Sequence, residues 1–198
     1  MRFISHATFS LPLAGLVLAS SLMGSPAEPI KHQDTPTDST HNLLVETQVS
    51  DRLRQIQSRA AELRLEAELL QAYSRGSGLS WETHAAKLSL VRDHINAIGR
   101  HLQYLQSVQG SSSPLQQAAI NRMMPSAVAI ADKTTAAIGL LNENRMQVSM
   151  PAYADHVQVL YEQADRLKNS VDPFVELEKA QKKVEMLQNT IDLEEIEW

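Results

Sequence analysis

From Val49 through Leu53, Ile56, Ala60, Leu63 and Ala67 to Leu70, apolar residues return at alternating spacings of four and three. Only a helix places residues so spaced on one side, so this stretch must bury a long stripe against something equally apolar. The pattern recurs in later segments, and period-two alternation is absent over any useful length. The fold class is therefore all-α.

Helix-breaking and helix-starting residues divide the chain. The first stripe begins after Asn42 and holds to about Arg75, where Gly76, Ser77 and Gly78 end it. Ser80 is placed to cap a second helix, with Glu82 in the first turn where the macrodipole favours an acid. Its stripe is Trp81, Leu88, Val91, Ile95, Ile98, Leu102 and Leu105, with His84 in the one slot that is not apolar. Ser113, Pro114 and Gln116 spell a capping-box start for a third helix, with proline at its first position. The stripe there (Ile120, Met123, Ala127, Ile130, Thr134, Ala137, Leu141) uses smaller side chains, which let helices approach closely. Pro125 interrupts it and predicts a bend near Met124.

A fourth helix is expected from near Pro151, carrying Tyr153, Val157, Leu160, Ala164, Leu167 and Val171. Asp172 followed by Pro173 then reads as a cap and first position, predicting a new helix or a sharp kink from there to about Leu193. The first three helices are each about 30 residues, roughly 45 Å long, and short connections make sequential neighbours antiparallel. The expected architecture is an up-and-down antiparallel four-helix bundle over residues 42–172, with an additional C-terminal amphipathic helix and acidic tail over 173–198.

The ends set the expected compartment. Arg2, a largely apolar run over residues 11–23, and small Ser25 and Ala27 two positions apart follow the order of a secretory signal peptide, residues 1–27. Residues 28–41 (EPIKHQDTPTDSTH) have no apolar period and read as a flexible polar linker. The expectation is an exported protein, periplasmic or extracellular. Cysteine is absent, which removes disulfides, thiol catalysis, covalent haem attachment and a lipoprotein anchor. No stable membrane anchor is expected after cleavage.

Function classes narrow by elimination. A formal net charge of −5, one unit lower once Arg2 leaves with the leader, gives no footprint for nucleic-acid binding. Gly-x-Ser-x-Gly, phosphate-binding glycine loops and Glu-x-x-His pairs are missing, so the chain reads as a non-enzyme with no cofactor. Glu62 and Glu66 read as surface acids in reach of Arg59 and similar bases. The weak metal or haem candidates are His84, His94, His101 and His156, which a bundle would have to bring together. Met123, Met124, Met146 and Met150 read as adaptable core filling.

The C-terminal stripe, Leu177, Ala180, Val184, Leu187 and Ile191, is the candidate interaction surface, because a closed four-helix bundle leaves it no core to join. Three outcomes are open: folding back as a fifth helix, pairing with another copy as a coiled coil, or engaging a different protein. The leading expectation is a secreted helical bundle of the bacterial cell envelope acting through protein interaction or self-assembly. The alternatives are a haem- or metal-binding periplasmic bundle, and an envelope chaperone, although the Leu-Thr-x-x-Gln segments of small periplasmic stress chaperones are absent.

Overall fold

The computed structural model describes residues 36–76 and 80–194, with side chains from Leu44 to Ile191. The expected signal peptide and the first part of the expected linker lie outside the described residues. Four α-helices follow in order, α1 (Pro36–Arg75), α2 (Trp81–Ser107), α3 (Pro114–Glu143) and α4 (Pro151–Glu194), and no strand occurs among the described residues. A 3-10 turn at Gln109–Ser111 joins α2 to α3, and another at Arg145–Ser149 joins α3 to α4. The chain is an all-α helical bundle.

Local chemistry accounts for the helix ends. Ser113 accepts from the Gln116 backbone N–H while the Gln116 side chain accepts from the Ser113 N–H, so the expected capping box is present. Ser80 occupies the cap of α2 in an extended conformation, but its hydroxyl makes no capping bond and lies 3.4 Å from that of Thr83. Asn144 accepts from the Met146 N–H and starts the second 3-10 turn. Beside that turn, the Arg145 guanidinium sits 4.1 Å from the centroid of the Trp81 ring, tying the connection to the start of α2.

Each helix turns its apolar stripe inward. Every residue of the expected stripes from Val49 to Val171 is buried except Trp81, which is half-buried. The helices form a ring, α2 packing on α1, α3 on α2, α4 on α3, and α4 closing on α1. Polar bonds across the α1–α4 seam fix its register: Gln57 donates to Asp172, Arg64 to Asp165 and Gln71 to Gln158. Each seven-residue step up α1 is matched by a seven-residue step down α4. On the α1–α2 seam, Lys87 meets Glu66, His94 meets Glu62, His101 meets Arg52 and Tyr104 donates to Gln48.

Three expectations are corrected. First, α1 begins at Pro36, so residues 36–41 belong to a helix and not to a linker; proline suits a first helical position, where its missing N–H has no partner to lose. Second, Asp172–Pro173 is not a boundary, because α4 runs unbroken for 44 residues with Pro173 inside it. Loss of one backbone hydrogen bond and a ring clash cost about 3 kcal/mol there. Val171 and Val175, both fully buried, and Phe174, packed against the core, hold the backbone on either side. Asp172 itself is engaged by Gln57 and Lys168 instead of capping a new helix. Third, the C-terminal segment does not fold back as a fifth helix; it is the continuation of α4. Pro125 likewise sits inside an unbroken α3.

Candidate functional site

Among the described residues, Val175 is the last fully buried apolar residue of α4. Beyond it, side chains from residue 179 to residue 191 are all exposed, and the apolar stripe lies among them. Leu177 is 45 % exposed, Val184 54 %, Leu187 55 % and Ile191 56 %, with Ala180 exposed between them. Large apolar side chains elsewhere on the surface, such as Leu65, Leu90 and Val128, lie on separate helices. Isolated exposed residues of that kind are ordinary, whereas these five make one continuous exposed row on a single helix.

The phase of the stripe explains its exposure. Within the bundle, the buried row of α4 ends Leu167, Val171, Val175. Seven residues on from Val171 the same face reaches Glu178, and the face continues through Gln181 and Glu185. The apolar row begins one residue earlier, at Leu177. At about 100° per residue, Leu177 falls about 120° from Val171, and Ala180, Val184, Leu187 and Ile191 fall about 140–180° from it, so the stripe lies on the side of the helix away from the core-facing row.

The side of α4 that continues toward the bundle is polar and borders an open crevice of ≈ 430 Å³, whose walls include Ser50, Gln116, Phe174, Glu178, Gln181 and Glu185. Glu178 Oε1 lies 3.0 Å from Lys182 Nζ but receives no directed hydrogen bond. At this level the extension therefore turns polar side chains, and not its apolar row, toward the bundle. Its own helical form is supported by Glu176–Lys179 at 2.8 Å and Glu178–Lys182, which are three and four residues apart. Pairs at this spacing are worth about 0.2–0.5 kcal/mol each.

The histidines are separated. His84, 2 % exposed, points into the α1–α2–α4 end of the bundle, its Nδ1 3.0 Å from the Tyr153 hydroxyl and its ring edge-on to Tyr73 and Tyr153. Burial lowers its pKa from the usual imidazole value and pushes that of the Tyr153 phenol up, so both are neutral at pH 7. In the Nε2–H tautomer the Tyr153 hydroxyl donates to His84. His94 Nδ1 lies 3.4 Å from Glu62, on the α1 side of α2.

His101 Nδ1 accepts from the Arg52 guanidinium at 3.0 Å, which requires a neutral ring. Desolvation and then the charges of Arg52, Arg100 and Arg59 lower its pKa. His156 is half-buried on the first turns of α4. Along α2 the three positions are about 15 Å and 10 Å apart at 1.5 Å per residue. Among the described residues no three His, Asp or Glu side chains converge as a metal-holding group.

The sequence reading did not identify the polar seam residues Gln57, Gln71 and Gln116, or Val175 as the last residue of the core. Gln116 Nε2 reaches the Glu46 carbonyl and the Ser50 hydroxyl on α1, both at 3.4 Å. No spacing rule marks a glutamine that bonds across a seam. The turn of the apolar row after Val175, by contrast, was available from residue numbers alone. No helix among the described residues is long and apolar enough to cross a membrane. In comparisons with known proteins, no family model, curated protein sequence or solved structure matches this chain.

Proposed function

We propose that this chain is an exported, non-enzymatic bundle protein of the bacterial cell envelope, an up-and-down antiparallel four-helix bundle that works through protein contacts made by the extension of α4. The opposed seven-residue steps on the α1–α4 seam support the up-and-down arrangement. The order of Arg2, apolar run and small residues supports export. The observation that carries the functional reading is the half-exposed row from Leu177 to Ile191, set on a helix whose bundle-facing side is polar at that level. A helix presenting an apolar row at heptad spacing is a standard means of engaging another helix or a groove.

Affinity capture from envelope extract tests the reading. Full chain and chain lacking residues 176–198 are compared for bound proteins and for their own oligomeric state. The full chain is expected to retain at least one contact that the truncated chain loses. If neither the bound set nor the mass changes, the extension is not a contact surface and the proposal fails. Export is tested separately by N-terminal sequencing of the protein recovered outside the cytoplasm, which is expected to start at Glu28.

A further inference from the structure

We infer that the outer edge of the α1–α2 seam is a binding site for a small tetrahedral oxyanion of the sulfate or phosphate class, held by Arg52 and Arg59 beside His101. An open hollow of ≈ 260 Å³ lies there, lined by Gln55, Ser58, Arg59 and Glu62 from α1 and by His101 from α2. Every one of these side chains is polar, so the hollow gives no purchase to an acyl chain or an apolar ligand. It is separate from the exposed row of α4.

Charge favours an anion. Arg59 is paired with Glu62 at 2.9 Å, and Glu62 also lies 3.4 Å from His94 Nδ1, so the carboxylate of the hollow is already engaged. Arg52 and Arg100 have no carboxylate partner among the described residues. Arg52 instead holds its guanidinium 4.8 Å from the centroid of the Tyr104 ring and donates to His101 Nδ1 at 3.0 Å. Other arginines of the same two helices, such as Arg54, Arg64 and Arg92, each meet an acid. Three guanidinium charges (Arg52, Arg59 and Arg100) therefore act on His101 against one carboxylate in the hollow, although the chain as a whole carries −5. Forked guanidinium donors fit the oxygens of such an anion, and the Ser58 hydroxyl and Gln55 amide add neutral donors.

His101 links the site to protons. Because its Nδ1 accepts from Arg52, the neutral ring carries its proton on Nε2. A second proton is opposed by the three arginines, and an anion in the hollow offsets that opposition and favours the imidazolium. Protonation turns Nδ1 from acceptor to donor and releases the Arg52 N–H, leaving both groups free to donate to the anion. The charged groups facing the ring are Arg52, Arg59 and Glu62 from α1 and Arg100 from its own helix, while the Tyr104 phenol donates to Gln48. Binding should therefore tighten as pH falls through the range in which His101 titrates.

Inorganic sulfate is the probe, because it does not titrate where His101 does. The His101 ring and the Gln55 and Ser58 amides are followed by nuclear magnetic resonance in the full chain while sulfate replaces chloride at constant ionic strength, which holds general screening fixed. Saturable shifts are expected at these positions and not at buried His84, with the titration of His101 moved up by about half a pH unit or more at saturation. Arg52→Gln and Arg59→Gln should each raise the dissociation constant about tenfold, the loss of one charge-assisted hydrogen bond. His101→Gln should leave weaker binding that no longer tightens as pH falls. Unchanged helical circular dichroism verifies that each variant is folded.

Shifts that do not saturate, or that survive both arginine substitutions undiminished, overturn the site. Saturable binding with the same affinity at every pH overturns the role of His101. If the chain ignores sulfate and free phosphate but co-sediments with vesicles of phosphatidic acid through Arg52 and Arg59, the phosphate belongs to a lipid and the assignment to a small soluble anion fails.

Discussion

Between Pro151 and Val175, α4 buries Tyr153, Val157, Leu160, Ala164, Leu167, Val171 and Val175 completely; beyond residue 176 the same helix leaves Leu177, Val184, Leu187 and Ile191 about half exposed. Both rows have heptad-type spacing and comparable aliphatic content. They differ in phase, since the second row starts one residue early relative to the first. Helical amphipathicity thus commits a segment to bury a face, and the phase of that face relative to its neighbours decides whether its own fold or another molecule does the burying.

The largest effect that separates the two halves is expected from matched truncations. Leu160→Ala, within the bundle, should lower unfolding free energy by about 2–5 kcal/mol in a urea titration. Leu187→Ala, in the extension, should change the monomer's stability by less than about 0.5 kcal/mol. Equal losses at the two sites would erase the distinction.

At the junction, Pro173→Ala restores a donor for the Asn169 carbonyl and removes the ring clash. It should raise stability by about 1–2 kcal/mol, less than the full helix-interior penalty because the unfolded chain also gains freedom. A loss of stability instead would mean that α4 depends on a break at this point. Ser113→Ala removes half of the capping box at the end of the bundle nearest the extension, and should cost about 1 kcal/mol. That cost should appear equally in the full chain and in a chain lacking residues 176–198.

The two depressed histidines make a smaller test, confined to the bundle. His84 and His101 have pKa values lowered from 6.5 in the folded protein, so the unfolded chain takes up protons first as pH falls. Stability should be complete above pH 6.5 and decline below it, toward the depressed folded values. The residues facing His84 are Tyr73 from α1 and Tyr153 from α4, neither of which offers a carboxylate to offset its charging. Thermal melts between pH 7 and pH 5 should show the decline, and His84→Gln with His101→Gln should flatten it. An unchanged slope in the double variant would assign the pH dependence to other groups.

Much of this molecule was legible in the residue order. The stripes through α1 to α4 name the buried positions, and Ser113 with Gln116 names a helix start, because both depend on local spacing. Asp172–Pro173 misled for a physical reason: the dipeptide's local preference for starting a helix is weaker than the burial of Val171, Phe174 and Val175 around it. Gln57, Gln71 and Gln116 were unreadable because their partners lie on other helices, brought close only by the fold. The extension was readable as a surface in need of cover, but sequence could not exclude its folding back until the polar side through Glu178, Gln181 and Glu185 was seen beside the bundle.

Residue-resolved amide hydrogen exchange of α4, carried out on dilute and on concentrated protein, most directly tests whether this helix has a committed half and an available half. Amides over 151–175 are expected to exchange only through global unfolding at both concentrations, while those over 177–191 exchange fast in the dilute protein. Protection over 177–191 equal to that of the buried half in the dilute protein would contradict the division, because it would show the extension already covered by its own chain.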